Sequence, residues 1–133
     1  MVRVRRPSKQ MRLLLAALSM RSQEWRYGYD LMKDTGLECV AFEPIEVPFE
    51  DVGQISTEAV YAHTKKLWLQ NPGADGIYVH GGGWQTARVV ELLERDLQVP
   101  VVHAQVCNAW MIHKQLMVRE TMPGYGRLLA ELP

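Results

Sequence analysis

The stretch Ile77–Thr86 reads IYVHGGGWQT. A run of β-branched and aromatic residues ends at three glycines, and an amphipathic pattern resumes beyond them. The apolar run GIYVH is too short for a globular helix and is rich in strand formers, so it reads as a strand. Three glycines next supply a sharp turn, and Val89, Val90, Leu93 and Leu97 recur at helical spacing. The unit is strand, turn, helix, and the same unit recurs on both sides of it. Downstream, Gln98 opens a third strand, VPVVHA, and a last helix carries Ala109, Trp110, His113, Leu116 and Met117 on one stripe before Met122-Pro123-Gly124 closes it. Upstream, Leu37–Phe42 (LECVAF) reads as a buried strand that stops at the proline-bearing EPIEVPFEDVGQ. Ser56 is placed to cap a helix with Glu58 in its first turn and Val60, Thr64, Leu67 and Trp68 on its apolar side, ending before Asn71-Pro72-Gly73. Strands joined by helices of this length run parallel, with right-handed crossovers. The fold class is therefore α/β: a three-layer sandwich around a small, mainly parallel sheet of three or four strands.

The first 36 residues read differently. Ser8 can cap a helix through KQMRLLLAALSM, nearly all strong helix formers, and a second short helix fits Glu24–Thr35 before Gly36. A rival reading makes Met11–Leu18 a strand of the sheet. Propensity favours the helix, so the expectation is a basic N-terminal helical segment over 1–36 and an α/β half-domain over 37–133. The charge follows that division. Residues 1–26 hold seven basic residues against Glu24 alone, a balance of +6 in a chain of net charge zero, so the remainder carries −6. A basic arm suits weak nucleic-acid contact through counterion release, and equally a solvated terminus.

Composition, 47% hydrophobic and 23% charged, is that of a globular protein. No apolar run approaches the ~20 residues a bilayer span requires, and Met11–Met20 lacks a convincing cleavage site, so the expected location is the cytoplasm, away from membranes. Cys39 and Cys107 are far apart in sequence and read as free thiols rather than a disulfide framework.

In a parallel sheet ligands bind at the carboxyl ends of the strands, here His80-Gly81-Gly82-Gly83 and His103-Ala104. Glycines between strand and helix free backbone N–H groups for a carboxylate; the plainer reading is that the turn needs positive φ. His80 and His103 can serve as general acid or base, or sit as hydrogen-bonded structural histidines. With Cys107 they would make three metal ligands, but they lack zinc-motif spacing, so no metal is expected. Cys107, near a helix start, is either a reactive thiol or a packed one. His63 and His113 read as structural, and Glu43, Glu46, Glu50 and Asp51 as solvated carboxylates. Trp68, Trp84 and Trp110 read as core or subunit contacts.

FEDVGQIS, GADGIYVHGGGWQT, LERDLQVPVVH, Trp110 and PGYGRLL at 123–129 together resemble the aspartate/glutamate racemase superfamily, and most closely its arylmalonate decarboxylase and maleate cis-trans isomerase branch. The resemblance covers residues 36–133. It implies a cofactor-independent, metal-free isomerase or lyase made of two α/β halves, in which cysteine moves a proton next to a carboxylate. It implies substrate-binding roles for Gly81, Gly82, Gly83 and Trp84, and places Trp110 at the start of the last helix, behind the site. Gly81 stands where the cysteine of this half would be. The expectation is a truncated relative that keeps a small-carboxylate loop with weak or no activity, His80 or His103 being the substitute base. Residues 7–37 also resemble the opening of PadR-type winged-helix regulators through RYGYDL and TGL, which implies a DNA-binding alternative. A third reading is an oligomerising module, a homodimer that rebuilds the missing half.

Overall fold

The structure, a computed structural model, describes residues 12–19, 36–80 and 87–131. Four strands form one parallel sheet, β1 Arg12–Ser19, β2 Glu38–Glu46, β3 Gly76–His80 and β4 Val101–His103, in the order β2-β1-β3-β4. A 3-10 turn, Phe49–Gln54, leads into helix α1 Thr57–Gln70; helix α2 is Val89–Leu97, α3 Ala104–Gln115 and α4 the single turn Arg127–Ala130.

The expected helix over KQMRLLLAALSM is overturned. Residues Arg12–Ser19 form a central strand, paired with β2 along all eight residues and with β3 from Leu13 to Ala17. Helix propensities differ by only tenths of a kcal/mol per residue among such side chains, and two flanking strands that need a ladder partner outweigh them. The second short helix expected over Glu24–Thr35 lies outside the described residues. The strand expected at Leu37–Phe42 runs on through Pro44 to Glu46. Pro44 is tolerated because β2 is the sheet's edge strand, where a missing N–H breaks no inner ladder.

Side chains alternate across a strand, so the parallel register sorts the sheet into two faces. Ala41, Ile77 and Val101 lie in one row, and Val79 pairs with His103 on the same face. These pack with Val60 and Leu67 of α1 and Val89, Val90 and Leu93 of α2 into the main core. Each such aliphatic side chain, once buried, contributes about 1.5–3 kcal/mol. Tyr78 and Phe42 share the other face, in a smaller cluster with Leu37 and Cys39.

The helices start and stop where chemistry demands. Ser56 Oγ accepts from the Ala59 N–H at 3.1 Å, and α1 ends at Gln70 as the Asn-Pro-Gly turn requires. Helix α2 ends on Gln98 in the left-handed region, φ 55°. Helix α3 follows β4 with no loop, His103 being both last strand residue and N-cap. It stops at Gln115, so Leu116 and Met117 fall beyond the apolar stripe expected of them; Met117 takes φ 54° and is 83% exposed. Among the described residues no helix is long and apolar enough to cross a membrane.

Candidate functional site

The strand order makes β1 and β3 neighbours from which the chain runs outward in opposite directions: β1 continues to β2 on one side, β3 to β4 on the other. Such a switch point leaves a crevice at the carboxyl ends of the two strands. His80 closes β3 there, and His103 closes β4 one strand away. Both sequence-predicted histidines therefore reach the carboxyl edge, and they are near enough for His80 to bear electrostatically on His103. They leave the sheet on opposite faces, however, since His103 pairs with Val79, the residue before His80.

Their environments separate them chemically. His103 is fully buried, and its Nδ1 accepts the Gln105 backbone N–H at 3.1 Å, doing the work usually given to Ser or Asp at a helix start. A backbone N–H only donates, so Nδ1 keeps its lone pair and the ring proton sits on Nε2. That Nε2 is buried with no hydrogen-bond partner among the described residues. Burial first, and the neighbouring His80 second, push the His103 pKa down to about 4. It is a neutral donor at physiological pH, and its one lone pair already holds the helix.

His80 is half-buried. Its Nδ1 lies 3.0 Å from the Tyr78 hydroxyl, and the two rings are 5.6 Å apart at 59°. Sequence reasoning passed over Tyr78, although its signal was present: residues i and i+2 of a strand share a face. Burial, and then Cys107, raise the Tyr78 pKa, so the phenol keeps its proton. Cys107, the fourth residue of α3, is itself half-buried, and burial pushes its thiol up rather than down. Among the described residues no three His, Cys, Asp or Glu side chains are grouped to hold a metal ion. Gly81, Gly82, Gly83 and Trp84 lie outside the described residues.

The remaining candidates are structural. His63 donates from Nε2 to the Glu43 carbonyl at 2.9 Å, fastening α1 to β2. Tyr61 donates to Asp96 and accepts from Lys65 Nζ at 2.8 Å, joining α1 to α2. Trp68 and Trp110 pack against the main core; Trp110 sits in the middle of α3 rather than at its start, with Lys114 Nζ 4.8 Å from its ring centre.

A cavity of ≈ 330 Å³ lies elsewhere, lined by Glu91, Glu94, Arg95, Pro100, Gly124 and Arg127. It sits where the chain enters β4, at the opposite end of the sheet from the histidines. Glu94 closes it, accepting from the Val101 N–H at 3.3 Å and the Arg127 N–H at 2.8 Å. Its carboxylate is thus committed to holding α2, β4 and α4 together, and the carboxyl edge remains the better candidate.

The arylmalonate decarboxylase family model matches residues 23–129. The chain belongs to the arylmalonate decarboxylase family. The match begins ahead of the boundary expected at 36/37, and β1 inside that first segment is a central strand. A winged-helix opening would need Arg12–Ser19 to be helical, so the PadR-like alternative is not favoured. No curated protein matches the sequence significantly. Among solved structures, an arylmalonate decarboxylase is similar over 90% of this chain and 53% of its own, at 24% identity and TM-score 0.79. The maleate isomerase Iso from Pseudomonas putida S16 matches at 16% identity and TM-score 0.79, over 92% of this chain and 49% of its own. A Nocardia farcinica maleate cis-trans isomerase variant, carrying serine in place of a cysteine and solved with a covalently bound succinylcysteine intermediate, matches at 25% identity and TM-score 0.74, over 91% of this chain and 49% of its own. The chain thus spans about half the length of the solved family structures it matches.

Proposed function

We propose that the chain binds a small carboxylate at the carboxyl edge of β3 and β4 and turns it over weakly or not at all. The backbone N–H groups of Gly81–Gly83 would receive the carboxylate, with Trp84 as a wall. Any proton transfer next to the carboxylate falls to His80, because His103 is spent as a helix cap. The observation that carries this reading is His80, which closes β3 beside the switch point with its Nδ1 3.0 Å from the Tyr78 hydroxyl. The relatives' names, decarboxylase and isomerase, supply the ligand class, and the resemblance puts glycine at position 81 where a cysteine would move the proton. A chain with glycine there has no thiol at that point for a succinylcysteine-type adduct.

The test combines binding and turnover. Equilibrium binding of phenylmalonate and maleate to wild type, with the corresponding diamides as controls, should show carboxylate-dependent affinity that weakens in His80→Ala. Decarboxylation and cis-trans isomerisation should be near background in wild type and rise in Gly81→Cys. Equal binding of acids and amides would refute the ligand class, and high wild-type turnover would refute the role given to Gly81.

A further inference from the structure

We propose that the chain pairs with a second copy of itself through the apolar face at the end of α3, formed by Met111, Ile112, Leu116, Met117, Val118 and Met122. This face is separate from the carboxylate reading and does not rest on it.

The face follows from how α3 ends. The helix buries Val106 and packs Ala109 and Trp110 against the main core, which turns Met111 and Ile112 to the exposed side. Leu116 lies four residues beyond Ile112, hence on the same side. The Val118 N–H then donates to the His113 carbonyl at 2.9 Å and the Met117 N–H to the Lys114 carbonyl at 3.3 Å, closing the helix with Met117 at φ 54°. Glycine is the usual residue at such an ending; here it holds Leu116, Met117 and Val118 outside the core in succession. Met122 is tied by its N–H to the Leu129 carbonyl of α4 at 2.9 Å, and α4 packs on α3. Every residue from Lys114 to Pro123 is exposed. Six of the seven large apolar side chains exposed among the described residues stand in this one stretch, each between 36% and 83% exposed.

Size and charge select the occupant. Six such side chains offer on the order of 600 Å², the upper limit of what a lone soluble chain leaves open. A stable pair needs about 800 Å² from each partner, which a polar rim around this face supplies. The rim is self-complementary. Lys114 is drawn towards Trp110, its Nζ 4.8 Å from the ring centre, and Arg119 and Glu120 stand side by side, exposed and in no ion pair among the described residues. A two-fold contact sets apolar surface on its own copy and lets Arg119 meet the partner's Glu120. The solved structures that share the fold carry about as much chain again, the match covering 53% and 49% of theirs, so this fold occurs together with a body of about its own size. At ~1.5 Å per residue, Leu116 lies roughly 20 Å along α3 from the His103 cap, and the pairing face is distinct from the candidate site.

The experiment is sedimentation equilibrium of the full chain from micromolar to near-millimolar concentration. The wild-type mass should rise from one chain to two and level there, as a closed two-fold contact requires. Leu116→Glu should raise the dimer dissociation constant about 30-fold or more, with circular dichroism and dilute-solution unfolding unchanged, because unfolding of the dilute monomer does not sense the contact. Ile112→Lys, one turn earlier, should weaken the same dimer and decides if Leu116→Glu fails to fold. A wild type that stays monomeric at the highest concentration overturns the proposal, whatever else then covers the face. So does a dimer that both variants leave intact, or a mass that keeps growing past two chains.

Discussion

The two ends of the sheet are built on opposite terms. At the amino end of β4, Glu94 satisfies two backbone N–H groups, and Gly126 at φ 91° lets the chain pass so close to α2 that a Cβ would stand 2.3 Å from Val90 Cγ1. Glu94 and Gly126 there are committed to holding the chain together. At the carboxyl end a fully buried His103 has an unpartnered Nε2, and Tyr78, His80 and Cys107 sit half-buried around the strand ends. The amino end stabilises the fold, and at the carboxyl end the His103 Nε2–H is left without a partner among the described residues. PGYGRLL, which carries much of the family likeness, belongs to the first, with Gly126 against Val90 and the Arg127 N–H on Glu94.

That contrast breaks most severely at the clasp. Gly126→Ala meets both the Val90 methyl and the positive φ, and should cost roughly 3–4 kcal/mol in denaturant unfolding; a loss under about 1 kcal/mol would mean the approach is looser than described. The carboxyl end should answer to pH instead. The folded His103 pKa, about 4, lies below the ordinary 6.5, so the unfolded chain takes up the proton first as pH falls. Its contribution, on the order of 3 kcal/mol, is full above pH 6.5 and is lost as pH falls towards 4. His103→Asn retains a capping acceptor without titrating, and should flatten the stability profile across that window. Glu94→Ala removes both clasp acceptors and should cost about 2 kcal/mol while leaving the His80 ring signals in place. Smallest of all, Met117→Gly relieves a left-handed, exposed position and should stabilise by about 0.5–1 kcal/mol; destabilisation there would show that the side chain is engaged.

Much of this was legible in the residues because it is local. Ser56 as a cap, the Asn-Pro-Gly stop and the Val89-Val90-Leu93 face each follow from chemistry within a few residues. Arg12–Ser19 was not, because its strand state depends on two partners remote in sequence, and Leu-Ala runs carry no local mark of that pairing. Pro44 misled for a related reason, since its tolerance depends on β2 being the edge. Leu116 and Met117 fitted a helical period that the helix does not reach. His80 and His103 do end their strands as the sequence suggests, but the sequence has no way to show that a histidine is its helix's cap. Tyr78 was within reach, from the i, i+2 rule applied to YVH.

The most direct test of the division between the two ends is a phenylmalonate titration of the uniformly ¹⁵N-labelled chain followed by backbone and imidazole shifts. The account predicts saturable changes at Tyr78, His80, His103 and Cys107, with Glu94, Val101 and Arg127 unmoved. Shifts centred on Glu94 and Arg127, or none at the histidines at saturating ligand, would contradict it.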